Sequence, residues 1–397
     1  MRPLAITGVG LVSPLGIGFS DFRDALNRYD VLGDKLFVRE SGVLAPDKLP
    51  DPLAAEVSSF DPTPFLGSKG LRNHDRLTLF LLVAAKQALQ DAGLKENGEH
   101  KVYSPSRIGL CSATAYGSLD AINELVTVAE LEDPRFVNPN RFPNTVINSA
   151  AGYVSIWEDL RAPNVTVVDG NCGSLDVLLS AETHLSHGRA DAFVVGGGEV
   201  LSDPLYLGFR KLGILAEGNR TFRPGTPEGH GMRIGEGAGY FCVEREEDAK
   251  KRDADRYGLV IGYGNAFEPP ESDAVIVHAS QKSIERAIQA ALLDAGVSAS
   301  TIDGVVGSLN GVPMFDRAEL AALSALLGDG VPVIAPKSLY GETFGSGGAL
   351  AMACALSWLS GKSVGPMVRG TMRDKPRTLL VVAVGFYGNV SATVITA

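Results

Sequence analysis

Along the chain, apolar and polar positions fall into two blocks with the same internal order. Each block alternates short, mainly apolar runs with longer stretches whose apolar residues recur every three or four positions. The short runs of the first block are Pro3–Thr7, Arg107–Ser112, Val165–Val168 and Ala192–Val195; those of the second are Gly258–Ile261, Gly304–Val306, Val331–Ile334 and Leu379–Val384. Strands that are apolar on both faces must be covered on both faces, and their alternation with helices predicts buried, mostly parallel α/β sheets.

The helical stretches repeat as well. Leu82, Ala85, Leu89 and Ala92 mark one amphipathic helix, and Ile284, Ala287, Ala291 and Ala295 mark another. Both end alike, in Ala88-Leu89-Gln90-Asp91-Ala92-Gly93-Leu94 and Ala291-Leu292-Leu293-Asp294-Ala295-Gly296-Val297, which lie 203 positions apart (291 − 88). A glycine placed there predicts a left-handed C-terminal cap in each. The repetition predicts an internal duplication, with one half over residues 1–245 and the other over 258–397, joined near 245–257.

Composition narrows the function. Across 397 residues the net charge is −10, which argues against nucleic acid or an anionic membrane as partner, since both call for a basic face. The apolar stretch within residues 1–18 is broken by Gly8, Gly10, Pro14 and Gly16, and no small-residue cleavage site follows it. It predicts a strand rather than a signal peptide. With no run of about 18 apolar residues elsewhere, no membrane span is expected. The four cysteines, Cys111, Cys172, Cys242 and Cys354, show no CxxC spacing, so neither a disulfide framework nor a structural zinc is expected and a reducing cytoplasm fits best. His184 and His187 stand close together without a neighbouring cysteine and are read as capping or surface residues. Gly8-Val9-Gly10 lacks the third glycine of a dinucleotide loop; close backbone packing is the expected role.

Several motifs together resemble one family over nearly the whole chain. They are Ile6-Thr7-Gly8-Val9-Gly10 with Ser13-Pro14-Leu15-Gly16, Phe222-Arg223-Pro224, the run from Gly231 to Gly239, Glu247-Asp248-Ala249-Lys250-Lys251-Arg252, and Pro336-Lys337-Ser338 with Gly341. This pattern resembles the elongating β-ketoacyl-ACP synthases. The resemblance implies a thiolase-like fold of the α/β class, internally duplicated in five layers (αβαβα), with dimerisation and pocket insertions in the N-terminal half. It implies no cofactor and no metal.

Family members attack an acyl thioester with a Cys at a strand-to-helix turn and use two His during decarboxylation. Counting back from Gly188-Arg189-Ala190-Asp191 and Gly196-Gly197-Gly198-Glu199 without a gap, the nucleophile position falls on Asn171. Cys172 is the neighbouring residue, and one residue turns a helix by about 100°. The first His is replaced by Ser308, in a stretch that otherwise keeps its spacing to Asp316 and Glu319, and the second by Glu342, after Lys337-Ser338-Leu339-Tyr340-Gly341. Lys337 stands at the family's lysine, while Ala351 replaces a family glutamate.

An Asn amide is no nucleophile, and Ser carries no transferable positive charge. A carboxylate at roughly 4 Å from a developing enolate costs on the order of 4 kcal/mol at an effective dielectric of about 20, about a thousandfold in rate, unless Lys337 neutralises it. The three replacements resemble the chain length factors, whose motif Gly-Gln-Ala-Gly-Gly-Leu-Asp is similar to Gly170-Asn171-Cys172-Gly173-Ser174-Leu175-Asp176. The resemblance implies a condensation-inactive subunit that heterodimerises with an active β-ketoacyl-ACP synthase and sets chain length in polyketide, polyene or fatty-acid-like biosynthesis. Acidic acyl carrier protein is then expected to dock mainly on the partner. The alternative is an acyltransferase using Cys172. The bulk of Gly385-Phe386-Tyr387-Gly388 is expected either to plug a redundant cavity or to pack as an ordinary strand end.

Overall fold

The computed structural model describes residues 1–32, 39–45, 49, 52–217, 222–272, 274–361, 365–371 and 375–397. Ten strands and five helices carry the architecture. The N-terminal set is β1 (Leu4–Ser13), α1 (Arg76–Asp91), β2 (Ile108–Ala113), β3 (Asn164–Val167), α2 (Gly173–Ser186), β4 (Ala192–Glu199) and β5 (Gly237–Arg245). The C-terminal set is β6 (Gly258–Phe267), α3 (Gln281–Ala295), β7 (Gly304–Val306), α4 (Pro313–Leu327), β8 (Val333–Ile334), α5 (Gly347–Leu359), β9 (Thr378–Val384) and β10 (Asn389–Thr396).

In space the strands run β8-β7-β9-β10-β6-β1-β5-β4-β2-β3. Read from either end, each set therefore has its third, second, fourth, fifth and first strand in that order. The two sets meet at a short antiparallel pairing of β1 with β6, where Leu4, Ala5 and Ile6 face Val260, Leu259 and Gly258. The sheet is mixed rather than mostly parallel: β2 pairs parallel to β3 and β4, and β7 to β8 and β9, but β5 and β10 run antiparallel to their neighbours. A strand buried on both faces reads as apolar whichever way it runs, so its sequence does not disclose direction.

Both outer helices are built the same way. Gly93 and Gly296 adopt φ of 64° and 66°. Leu94 N–H returns to Leu89 O at 3.0 Å, and Val297 N–H to Leu292 O at 3.1 Å. These are the long hydrogen bonds of a Schellman cap. Just before each cap a carboxylate fastens the helix to its sheet: Asp91 Oδ2 accepts from Val9 N–H at 2.8 Å, and Asp294 Oδ2 from Tyr263 N–H at 2.9 Å. Each receiving strand is irregular at that point, with register shifts between Ile6 and Gly8 and between Val260 and Gly262.

The glycines there serve packing, not a dinucleotide. A Cβ on Gly8 or Gly10 would lie 2.2 Å from Ala88 O or 1.9 Å from Ala84 O, and one on Gly262 or Gly264 within 2.4 Å of Ala291 backbone. Only glycine lets strand and helix backbones approach so closely.

Between the two strand sets lies a third helical layer made by α2 and α5. Residues of α2 such as Leu175 and Leu178 and of α5 from Ala349 to Leu356 share one core with Val195 and Phe241 on one side and Val381 and Ile395 on the other. With α1 and α3 outside, the order is helix, sheet, helix, sheet, helix. At the centre the two inner helices meet head to head, and Ala349 N–H donates to Ser174 Oγ at 3.0 Å. Among the described residues no helix is long and apolar enough to cross a membrane.

Candidate functional site

Each inner helix is preceded by one 3-10 turn, Gly170–Cys172 before α2 and Phe344–Ser346 before α5, and the two turns pack against each other. The residues singled out from the sequence gather around this contact. Asn171 is 2% exposed, Ser308 4%, Lys337 3% and Glu342 1%.

Three of them form a closed polar chain. Lys337 Nζ lies 2.6 Å from Glu342 Oε2 and donates to Ser308 Oγ at 3.1 Å. Ser308 Oγ also accepts from Val384 N–H at 3.0 Å, and Ser308 N–H donates to Glu319 Oε1 at 2.7 Å. Glu342 uses its other oxygen to accept Phe344 N–H at 3.1 Å. The ammonium thus neutralises the carboxylate at contact distance, so the like-charge penalty reckoned for an unpaired Glu342 is cancelled. A buried ion pair of this kind is also already engaged, and neither partner is free to polarise a substrate without breaking it.

The carboxyls behind the chain are held by main-chain donors. Asp316 accepts from Gly225, Asn310 and Gly311 N–H, at 2.6 Å for the first. Burial pushes Glu319 up to about 8, opposed by the hydrogen bond from Ser308. Glu199, at the end of β4, accepts from Ala115 N–H at 2.6 Å, Tyr116 N–H at 3.3 Å and Gly345 N–H at 3.3 Å. Burial pushes it up to about 7 against those bonds. It ties the loop after β2 to the turn before α5.

Asn171 and Cys172 differ sharply although they adjoin. Asn171 Nδ2 is buried without a hydrogen-bond partner. Cys172 is fully buried in the layer between the sheets, where its thiol donates to Ala383 O at 3.4 Å. Burial pushes that thiol well above its ordinary range, and Asp176 and Asp169 push it further in the same direction. A thiol so placed stays protonated and meets no solvent, the opposite of a nucleophilic cysteine's surroundings.

Aromatic rings fill the space beside the polar chain. Phe344 lies tilted 4.9 Å from Phe209 and 5.6 Å from Tyr116; Phe386 lies 5.2 Å from Phe209 and 5.3 Å from Phe315. Phe386 is buried in this ring cluster, and Tyr387 beside it is half-exposed, its hydroxyl hydrogen-bonded to that of Tyr116. Phe344 sits at φ 45°, a left-handed conformation that costs a non-glycine residue of order 1–3 kcal/mol. Its N–H bond to Glu342 and its ring contacts hold it there. Neither Phe344 nor Glu199 is marked as a site residue by any sequence spacing read above.

The family profiles decide the ancestry of this arrangement. The profile for "Beta-ketoacyl synthase, N-terminal domain" matches residues 1–249, and that for "Beta-ketoacyl synthase, C-terminal domain" matches residues 257–370. The chain belongs to the β-ketoacyl synthase family. It is 32% identical over 360 residues to a 3-oxoacyl-[acyl-carrier-protein] synthase 2 of Coxiella burnetii, covering 88% of this chain and 84% of that protein. It is 30% identical over 415 aligned positions to the tetracenomycin polyketide synthase ketoacyl synthase beta subunit of Streptomyces glaucescens, covering 99% of this chain and 98% of that one. Among solved structures, the ishigamide ketosynthase/chain length factor superposes with a TM-score of 0.84 at 24% identity, over 100% of this chain and 99% of that one. That likeness establishes the thiolase-like ketosynthase fold. The relatives include proteins named as 3-oxoacyl-[acyl-carrier-protein] synthases and one named as a ketoacyl synthase beta subunit, so ancestry alone does not assign the chemistry.

Proposed function

We propose that this ketosynthase-family chain is a condensation-inactive subunit of the chain length factor type, which pairs with an active β-ketoacyl-ACP synthase and shapes the acyl pocket across the interface. The observation that carries the reading is the buried Ser308–Lys337–Glu342 chain beside Asn171. In the register read from the sequence, Asn171 stands at the nucleophile's position and Ser308 and Glu342 at those of the two histidines. An amide replaces the nucleophile, and a hydroxyl and a neutralised carboxylate replace the two imidazoles, so neither attack nor decarboxylation has its group.

Support for a partner comes from the edge of the sheet. Among the described residues no strand pairs beyond β3, and an unpaired edge invites another chain. Val168 just after that strand is exposed, as are Phe136, Phe142, Val146 and Ile147 in the preceding insertion. The partner would bring the competent site and most of the docking surface for acidic carrier protein, in polyketide, polyene or fatty-acid-like synthesis. The competing reading, acyl transfer through Cys172, is opposed by that thiol's burial and its raised pKa.

Two measurements test the proposal. Purified chain incubated with acyl carrier protein thioesters and weighed intact is expected to show no adduct; an acyl adduct that disappears in Cys172→Ala would replace this reading with the acyltransferase. Co-expression with a ketosynthase encoded beside it is expected to give a one-to-one complex. Isolation of the chain as a soluble, self-sufficient condensing homodimer would overturn the proposal.

A further inference from the structure

A pocket of about 170 Å³ shares no residue with the Ser308–Lys337–Glu342 chain. It opens between α1, the helix Ser149–Glu158 and the hairpin that pairs Lys95-Glu96 with Glu99-His100. Its walls are Lys86 and Gln90 of α1, Trp157 and Glu158 at the end of that helix, and Lys95 and Gly98 of the hairpin.

Apart from the exposed Gln90, the walls are held from behind. The side chains of Lys95 and Glu158 are 9% and 4% exposed, with Lys95 Nζ 2.7 Å from Glu158 Oε2. The same ammonium donates to Glu158 main-chain O at 2.8 Å and so closes the helix end. Lys86 Nζ donates to Phe65 O at 2.6 Å. The Trp157 ring meets His74 edge to face, 5.9 Å between centroids, and a Cβ on Gly70 would come 3.3 Å from it. Asn97 and Gly98, at φ of 51° and 84°, make the two-residue turn of the hairpin. A pocket braced in this way is already formed, so a small ligand entering it orders little protein.

The bonds made leave capacity for a ligand. An ammonium has three donors; Lys86 uses one on Phe65 O, and Lys95 uses two on Glu158. The Gln90 amide adds donors at the rim. Two ammonium groups against one carboxylate leave a single net positive charge on the walls, in a chain of net charge −10. That balance favours one negative charge, and a second would meet the fixed Glu158 carboxylate. Trp157 supplies the one aromatic wall, which suits a flat ring. We propose that this pocket binds a small planar monocarboxylate, with its carboxylate between Lys86 and Lys95 and its ring against Trp157. The site stands whether or not the subunit condenses acyl chains.

Para-fluorobenzoate is the probe. Its fluorine NMR line should broaden saturably with the wild-type chain, with a midpoint on the order of 1 mM, and benzoate should displace it. Phthalate, which carries a second carboxylate, should compete about tenfold less well than benzoate; this comparison needs no variant. Gln90→Glu adds a carboxylate at an exposed position, and Lys86→Met removes a cation but keeps its stem. Each should weaken binding about tenfold and leave the far-ultraviolet spectrum unchanged. The two tryptophans of the chain are Trp157 and Trp358, the latter 1% exposed. Saturating benzoate should therefore change the tryptophan fluorescence of the wild type but not that of Trp157→Phe. Absence of saturable broadening, phthalate competing as well as benzoate, or wild-type affinity in both Gln90→Glu and Lys86→Met would overturn the site.

Discussion

Lys337 Nζ sits 2.6 Å from Glu342 Oε2, and the second oxygen of the same carboxylate holds the N–H of Phe344 at 3.1 Å. One buried carboxylate thus neutralises a lysine and fixes a residue in the left-handed region. Glu342→Gln keeps an acceptor for Phe344 but leaves the ammonium without its counter-charge. Removing one partner of a buried pair costs about 3–5 kcal/mol, so urea unfolding should show a loss of that size. Adding Lys337→Met to Glu342→Gln should recover more than half of it, since neither member of the pair then carries a buried charge.

Phe386 closes the aromatic cluster against Phe209, Phe315 and Phe344. Phe386→Ala should cost about 3–5 kcal/mol through lost burial and an unfilled cavity. Because that cavity is lined by rings, small apolar probes such as benzene should raise the melting temperature of the variant and leave the wild type unchanged. An equal effect of the probe on both proteins would show that Phe386 does not fill the space.

Much of the fold was legible because duplication writes the same physics twice. Asp91 and Asp294 recur at the same place in a repeated helix ending, and both fasten that ending to a strand irregularity. The tight glycines at 8 and 10 could be read as packing because a dinucleotide loop lacked its third glycine, whereas their counterparts at 262 and 264 carry no such motif and emerge only from the close approach of α3. Strand direction was not legible: the antiparallel strands β5 and β10 are not among the four apolar runs of each half, and whereas β10 turns back through the short return 385–388, β5 follows β4 only after residues 200–236. At the site, the spacing brought out Ser308, Lys337 and Glu342, but not Phe344, whose strain depends on a hydrogen bond two residues away. Asp176 was read only as part of a motif, since its partners Tyr263 and Ser391 come from strands some 90 and 200 residues distant.

Stability should fall as pH rises from acid toward mildly alkaline. Glu199 and Glu319 are raised in the folded chain to about 7 and about 8 from an ordinary 4.5. Between those limits the folded state holds protons that the unfolded chain has lost. Their contribution is therefore complete below about 4.5 and disappears as pH rises through about 7 and about 8. Each such proton gives a slope of up to about 1.4 kcal/mol per pH unit. Urea midpoints taken across pH 5 to 8.5 should decline, and Glu319→Gln should decline less steeply than the wild type. A profile that climbs over this range would mean that these carboxyls are ionised when folded.

The exposed side chain of Val168 follows directly on the unpaired edge strand β3, and the same loop continues into Asp169 and the Asn171 turn. Burying Val168 and the open main-chain groups of β3 against a second subunit would satisfy both at once. Val168→Arg places a charge that such an interface would have to desolvate, at a cost of several kcal/mol. Since the position is open in the single chain, its own unfolding midpoint should hardly change. Under the proposed pairing, co-purification with a co-expressed ketosynthase should be lost. If Val168→Arg still co-purifies at wild-type yield, the subunits meet through another face and β3 is not the shared edge.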